Sequence, residues 1–374
     1  MVRWFAPVLM MLSGTFVAAQ ERPVSVLDFG AVPGDGRADD EAIVAALRYA
    51  RDRGFNEVVL PQGEYLIAAQ MSYVSGVDLV GAGCGRTVLK RSAGSRGQMM
   101  FELDGTSDAS LRGMTFEYSG APEFYRAIGF RGAGSQNIVI ERNCFSDRNP
   151  TGVGGDRWAV ELSAEDSPSR NVTISNNEVR GRLQLTAGGG AGVSRLRLSE
   201  NTVIGATANG IGLSTLSDSA VFDDIEIRDN DIRNSSSIGI FIGPDQPYAD
   251  GGKFNNIRII DNRIDGLTSR FGYGIFLRAS RNGFSQVSIN GNSLDGGAAE
   301  KTTAIRLTDD HGKGQRNFSG VRICQNDARR FSRGLWLENV DTAAIDGNRV
   351  DTGRPYLVEP SVNHDVRFDS AGGC

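Results

Sequence analysis

The sequence predicts an all-β fold in which short strands wind into stacked coils, a parallel β-helix. The first observation is a repeat of apolar-alternating strands, each ending in an asparagine. The second is a short apolar segment and then a Gly-rich strand after each asparagine, as in GIFIG and GLWLEN. The third is the unit length of 22 to 34 residues without helical periodicity, which is typical of solenoid coils. The repeated asparagines are Asn143, Asn177, Asn201, Asn230, Asn262, Asn292, Asn326 and Asn348.

Each strand of the repeat alternates apolar and polar residues, so one of its faces is predicted to be buried. Coils that stack at the ordinary strand spacing of about 4.8 Å bring equivalent residues directly above one another. An inward asparagine can then bond to its neighbours above and below, which predicts a structural asparagine ladder. A β-propeller is disfavoured because its longer units and Trp-Asp signature are absent, and a leucine-rich repeat because the strands carry mostly Ile and Val.

Length and composition narrow the function. The 374 residues include 40 Lys plus Arg and 45 Asp plus Glu, a net charge of −5. This mildly acidic balance excludes a broad nucleic-acid-binding surface, which requires clustered basic charge. Glycine is abundant, at 48 residues, and without a collagen-like period it indicates many tight turns.

The first 19 residues are predicted to be a cleavable secretory signal. Arg3 precedes an apolar stretch, and the small residues Ala18 and Ala19 fit a cleavage site after Ala19. Residues 20–374 would then form one exported β-helix domain, secreted or periplasmic, with no membrane span. Four cysteines allow a disulfide but match no zinc pattern, and with only two histidines a histidine-rich metal site is excluded.

The start of the domain, about residues 24–54, is predicted to cap the open end of the solenoid, which would otherwise expose its core and an unpaired edge. A helix is predicted over residues 39–53, with Asp39 as its N-cap and Gly54 at its end. Apolar residues at i, i+3, i+4 and i+7 give this helix one buried stripe.

The same region resembles a known family. The segments VLDFGAVPGDGRADDEAIVAAL, VVLPQGEYLI and VDLVGAGCGRTVL, within residues 24 to about 90, are similar to the opening of the pectate-lyase-like superfamily. This resemblance implies a right-handed parallel β-helix that binds or cleaves acidic polysaccharides, as a lyase, hydrolase or epimerase. Phage tailspikes share the opening. The Asn-Thr-Asp, Gly-His-Gly and Arg-Ile-Lys motifs of the polygalacturonase branch are absent from this chain, so no catalytic residue transfers directly.

The Gly-rich strands can be aligned from coil to coil. The predicted inward row is Val160, Leu183, Ile211, Ile240, Ile275, Ile305 and Leu335. The next residues face outward and read Glu161, Gln184, Gly212, Phe241, Phe276, Arg306 and Trp336. Exposed aromatic rows often mark binding surfaces, and arginines can pair with uronate carboxylates. The candidate substrate-binding residues are Tyr273, Phe241, Phe276, Arg306, Trp336 and Glu161. The alternative is that loops cover these rings.

The candidate catalytic residues lie around the turn LTDDHGKG, where Asp309, Asp310 and His311 leave a strand together. Arg278 is predicted one coil below and Glu338 one coil above. A hydrolase would use two carboxylates as acid and base. A lyase or epimerase would neutralise a uronate with arginine and remove its C5 proton with a base such as His311 or Tyr273. The alternative is a solvated turn.

The sequence therefore predicts an exported enzyme that modifies an anionic, uronate-type polysaccharide by lyase, epimerase or hydrolase chemistry. The alternative is a non-catalytic carbohydrate-binding or surface-attachment β-helix, either tailspike-like or acting in polymer export. No cofactor or metal is expected. Calcium stays open because the sequence offers no full ligand set, and the oligomeric state is left open.

Overall fold

A computed structural model describes residues 22–118, 126–131, 134–146, 158–164, 167–188, 192–245, 251–279, 281–297, 300–309, 317–358 and 365–368. The predicted signal segment lies outside these residues. Within them the chain forms parallel strands that return to the same face once per coil, which confirms the predicted parallel β-helix. Its hand is the right-handed one that parallel crossovers adopt.

One face, which we call face A, is a sheet of thirteen strands hydrogen-bonded in chain order. Its strands are β1 (Val24–Ser25), β2 (Glu57–Leu60), β4 (Asp78–Gly81), β6 (Ser107–Arg112), β9 (Gln136–Glu141), β12 (Ser169–Ser175), β15 (Gly192–Ser199), β18 (Val221–Arg228), β21 (Lys253–Ile260), β24 (Phe284–Asn290), β27 (Phe318–Cys324), β30 (Thr342–Asp346) and β33 (Asp365–Phe368).

The two other faces share one twenty-stranded sheet, joined through strand β5. Face B consists of three-residue strands, namely β7 (Thr115–Glu117), β10 (Cys144–Ser146), β13 (Glu178–Arg180), β16 (Thr202–Ile204), β19 (Asp231–Arg233), β22 (Arg263–Asp265), β25 (Ser293–Asp295), β28 (Asp327–Arg329) and β31 (Arg349–Asp351). Face C consists of β3 (Gly63–Ser72), β5 (Thr87–Glu102), β8 (Arg126–Arg131), β11 (Trp158–Ala164), β14 (Arg182–Ala187), β17 (Asn209–Thr215), β20 (Ile238–Pro244), β23 (Phe271–Ala279), β26 (Lys301–Asp309), β29 (Arg333–Leu337) and β32 (Tyr356–Val358).

The core fills the space between the faces, because the inward residue of each strand lies in register with that of the next. On face A, Ile225 pairs with Ile257 and Ile257 with Val287, and all three are buried. Further along the same strands, the rings of Phe254 and Phe284 stack with centroids 4.5 Å apart. Such columns explain why β-branched residues dominate the strands, since they pack well on a pleated, buried surface.

The bend from face A to face B is held by a hydrogen-bonded column of asparagines. The backbone N–H of each repeated asparagine from Asn143 to Asn326 donates to the side-chain Oδ1 of the asparagine one coil further on, at 2.9 to 3.1 Å. The Asn262 amide also donates to the carbonyl of Ile227 at 2.8 Å. The residue before the asparagine has a positive φ, as at Asp261 (54°), which turns the chain into the short strand.

The N-terminal end is covered by helix α1 (Asp40–Arg53), preceded by a 3-10 helix (Val26–Phe29). The predicted stripe of Ile43, Ala46, Leu47 and Ala50 is buried, and Gly54 ends the helix with a left-handed φ of 76°. The predicted capping role of the Asp39 side chain is wrong. Its carboxylate makes no bond to the helix N-terminus and instead accepts from the backbone N–H groups of residues 32 and 66, each at 2.9 Å.

A disulfide joins Cys84 to Cys144 across a sequence separation of 60 residues. Cys324 is also disulfide-bonded. The Cys84–Cys144 disulfide therefore links two of the first coils covalently. None of the helices within the described ranges is long and apolar enough to cross a membrane.

Candidate functional site

The outward row on face C lies in the predicted register. Its paired residues are Glu161, Gln184, Gly212, Phe241, Phe276, Arg306 and Trp336. The inward row beside it is buried throughout, from Val160 to Leu335. The strands therefore present one continuous line of side chains along the axis of the solenoid.

The aromatic part of this row is less exposed than the sequence suggests. Phe241 keeps 5% of its surface exposed and Phe276 keeps 7%, whereas Trp336 is half-buried. The two phenylalanine rings lie 5.6 Å apart, and Tyr273 covers Phe276 at 4.6 Å. Since stacking puts each ring between neighbours about 4.8 Å above and below, the row shields itself. Trp336 stays the most exposed ring of the row, although the guanidinium groups of Arg306 and Arg333 lie 4.1 and 4.6 Å from its centre.

Arg306 is the centre of the C-terminal part of the row. Its Nη1 donates to the hydroxyl of Tyr273 at 2.8 Å, and its Nη2 lies 3.4 Å from a carboxylate oxygen of Glu338. Its Cζ lies 4.1 Å from the centre of the Trp336 ring, a cation–π contact. The guanidinium side chain is 18% exposed, so a partly shielded positive charge is available beside an aromatic surface.

The predicted catalytic cluster is only partly assembled. Arg278 pairs with Thr308 and not with Asp309, and the Thr308 hydroxyl donates to Glu338 in the coil above. Arg278 and Glu338 thus flank the residue before Asp309. The Nη2 of Arg278 donates at 2.6 Å to the carbonyl of Pro244, while its Cζ lies 5.2 Å above the Phe241 ring.

Asp309 is the last residue of β26 and is 8% exposed. Its Oδ2 accepts from the amide of Asn317 at 2.6 Å, which holds the carboxylate against the coil. Asp310 and His311 lie outside the described residues, so their predicted roles stay predictions.

A second polar cluster lies on the same face, towards the N-terminus. Glu161 forms an ion pair with Arg126, whose Nη2 lies 3.0 Å from Glu161 Oε1, and both side chains are less than a tenth exposed. In the following coils Arg182 donates to Gln184 at 3.2 Å, and Gln184 donates to Ser214 at 2.8 Å. A buried ion pair often adds little to stability, so its presence is weak evidence for a purely structural role. We therefore treat this cluster as a candidate polar subsite.

Sequence reasoning predicted Glu161 but did not name Arg126, its ion-pair partner, or Arg182 and Ser214, which bond to Gln184, as site residues. Arg126 belongs to a coil without a repeated asparagine of its own, which is why the alignment of coils did not reach it. Arg182 and Ser214 could have been found, because they occupy outward positions on strands that the alignment already contained.

The arrangement contains groups that suit an anionic ligand. Arginines offer bidentate donors for carboxylates, and an indole ring offers a flat surface. Within the described ranges, no group of three or more His, Cys, Asp and Glu side chains stands close enough together to hold a metal ion.

The chain is similar to several known proteins. A family model described as rhamnogalacturonase A/epimerase, pectate lyase-like, matches residues 23–258. By sequence, the chain is 34% identical over 165 residues to mannuronan C5-epimerase AlgE4 of Azotobacter vinelandii, a match that covers 42% of this chain and 26% of that protein. The chain thus spans about a quarter of the length of this relative.

Solved structures resemble the whole solenoid. The A-module of Azotobacter vinelandii AlgE4 superposes with a TM-score of 0.59 at 18% identity, covering 92% of this chain and 100% of the module. The Streptococcus pneumoniae surface protein and adhesin PfbA superposes with a TM-score of 0.57 at 15% identity, covering 93% of this chain and 100% of that chain. At these identities the likeness concerns the fold.

Proposed function

Because this chain belongs to the rhamnogalacturonase A/epimerase, pectate lyase-like family, we propose that it modifies an anionic, uronate-type polysaccharide by removing the C5 proton of a uronate residue. The proposal includes export, directed by the signal predicted in residues 1–19. The polymer lies along the outward row of face C. The reaction takes place beside Arg306, and the buried cluster around Glu161 contacts sugars further along the chain.

One observation carries the proposal: the Arg306 guanidinium lies between the Tyr273 hydroxyl at 2.8 Å and the Glu338 carboxylate at 3.4 Å, above the Trp336 ring. Removal of a proton next to a carboxylate develops negative charge on the carboxylate oxygens. A fixed guanidinium in a partly shielded site stabilises this charge more than it would in water.

Proton transfer needs a general base within reach of C5. Tyr273 and Glu338 each contact one terminal nitrogen of Arg306, so a uronate bound to this arginine has an oxygen on either side. In an epimerase, one group takes the C5 proton and a proton returns to the opposite face of the same carbon. In a lyase, the electrons of the broken C–H bond form the C4–C5 double bond, and the oxygen at C4 leaves with a proton.

The sequence similarity to AlgE4, which is a mannuronan C5-epimerase, supports the epimerase outcome. Hydrolysis is less well supported by the geometry, because it needs two carboxyl groups and Asp309, which would have to join Glu338, is held by Asn317. One contact favours a binding-only role, as expected for a surface adhesin. Arg306 is already paired with Glu338, so a substrate carboxylate has to displace Glu338 before it can bind this arginine.

The test is C5 proton exchange in D2O. Purified protein is incubated with polymannuronate and with polygalacturonate, with and without calcium, and C5 deuteration is followed by NMR, alongside ultraviolet absorbance of unsaturated uronate and assay of reducing ends. We expect deuteration in the wild type and a loss of about a hundredfold or more in Arg306→Lys and Tyr273→Phe. Arg329→Lys, on an exposed arginine of face B, is the matched control.

C5 deuteration without unsaturated product indicates epimerisation. Unsaturated product indicates β-elimination, since C5 of that product carries neither a proton nor a deuteron. Reducing ends without either signal would replace the proposal by hydrolysis. Retention on a polyuronate gel without any chemical change would replace it by binding only.

A further inference from the structure

Face A carries a groove that the proposed active site does not use. Its volume is about 710 Å³, and it runs across strands β21, β24, β27, β30 and β33. Because it lies on a different face of the coil from Arg306, it is a separate surface. We propose that this groove binds one extended strand of an acidic polysaccharide and holds the polymer on the protein while its reacting segment occupies face C.

The groove is lined by a row of arginines alternating with small residues. The residues in register along it are Arg258, Ser288, Arg322, Ala344 and Arg367. Because adjacent strands lie about 4.8 Å apart, consecutive arginines of the row stand about 10 Å apart along the groove. Each gap contains only a hydroxymethyl or methyl side chain, so a sugar ring fits between two guanidinium groups while its carboxylate reaches one of them.

The charge of the lining is opposite to that of the whole protein. The chain carries a net charge of −5, yet among the described residues the groove is lined by three arginines and by no Asp or Glu. An anionic polymer is therefore attracted to this surface locally although the protein as a whole repels it.

The arginines differ along the groove. At one end Arg258 is held by Asp224 at 2.9 Å and by Glu226 at 3.2 Å, so its charge is largely compensated. Arg322 and Arg367, at the other end, are exposed. Arg322 and Arg367 are therefore the guanidinium groups that a polymer reaches most easily, over strands β27 to β33.

One wall of the groove comes from a bend in the strands. Asn256, Gln286 and Gly320 occupy one column and have positive φ values of 50°, 55° and 63°. This left-handed conformation turns each strand away from the sheet plane just before the arginine row. The amide side chains of Asn256 and Gln286 on this wall, together with the hydroxyls of Ser288 and Thr342, provide hydrogen-bonding groups for sugar hydroxyls.

The choice of a polysaccharide as the ligand rests on the proposed function, whereas the basic character of the groove does not. The test therefore measures binding and chemistry separately. Long polymannuronate and polygalacturonate are titrated by affinity electrophoresis, with dextran as the neutral polymer, and C5 exchange is measured on a uronate tetramer too short to occupy both faces.

The informative variant is Arg322→Ser/Arg367→Ser, because serine already occupies the equivalent position 288. Two exposed ion pairs lost should weaken binding of the long polymer about three- to tenfold, and this difference should shrink at high salt. Tetramer turnover should be unchanged. Arg263→Ser, an exposed arginine on face B, is the control for loss of charge, and equal melting temperatures confirm folding.

If the double variant binds the long polymer as tightly as Arg263→Ser does, the groove proposal is overturned while the proposed function stands. If wild-type protein turns over the tetramer but gains no affinity from a longer polymer, the groove proposal is likewise overturned. If the wild type neither binds nor changes any polyuronate, both proposals fall together. Equal binding of dextran and polyuronate would exclude an acidic ligand.

Discussion

Replacing Asn262 by alanine removes one member of the asparagine column from the middle of the solenoid. The side chain is fully buried. Its Oδ1 accepts from the backbone N–H of Asn230 at 3.1 Å, and its amide donates to the carbonyl of Ile227 at 2.8 Å and to Asn292 at 3.0 Å. In the variant the N–H of Asn230 loses the acceptor that it has in the structure.

A buried donor left without an acceptor costs about 1–3 kcal/mol, and each further hydrogen bond lost costs about 1 kcal/mol. We therefore expect Asn262→Ala to lower the free energy of unfolding by about 3–5 kcal/mol, measured by urea denaturation. Asn255→Ala is the control, since Asn255 lies half-buried on the preceding strand β21 and accepts one bond, from Ser285 at 2.7 Å. Its loss should stay near 1 kcal/mol. If both variants lose the same free energy, the column contributes nothing beyond ordinary hydrogen bonding and the reasoning fails.

Three further predictions concern other parts of the molecule. Burial alone would raise the pKa of Asp224, but hydrogen bonds and charges of its two arginine partners lower it overall, so its contribution is present at neutral pH and lost as pH falls below about 4. Asp224→Asn should thus cost about 1 kcal/mol in urea titrations at pH 7, and its difference from wild type should shrink progressively as the pH falls below about 4. Replacing both Cys84 and Cys144 by serine opens a loop closed over a separation of 60 residues and should lower the free energy of unfolding by up to about 4 kcal/mol. A reductant should then lower the urea midpoint of the wild type more than that of the variant. Equal shifts would contradict this prediction. Trp336→Leu removes the ring that contacts Arg306. It should raise KM about five- to tenfold while kcat for C5 exchange is nearly retained. An unchanged KM would show that the sugar does not contact this ring.

Much of the fold could be predicted because strand alternation and register are local properties. In GIFIG and GLWLEN the alternation identifies the inward side of each strand, and stacking then aligns equivalent residues without further information. This is why the row from Glu161 to Trp336 was predicted residue by residue.

The environment of each residue was harder to predict. The burial of Phe241 and Phe276 depends on side chains from the coils above and below, whose rotamers the alternation does not specify. Asp39 fitted the pattern of a helix cap, but two backbone N–H groups, one of them from a later strand, bind its carboxylate instead. Cys84 lies in a coil that lacks the asparagine signal, two coils before its partner Cys144, so the alignment of coils did not bring the two cysteines together.

The spacing of the asparagine column has an evolutionary consequence. Successive asparagines are separated by 34 residues between Asn143 and Asn177 but by only 22 between Asn326 and Asn348, yet the strands of these coils remain paired without a shift of the column. Differences in coil length are therefore absorbed by the connecting loops. A lineage can lengthen or shorten one loop beside the outward row and so change which polymer it accommodates, while the inherited framework of strands and asparagines stays the same.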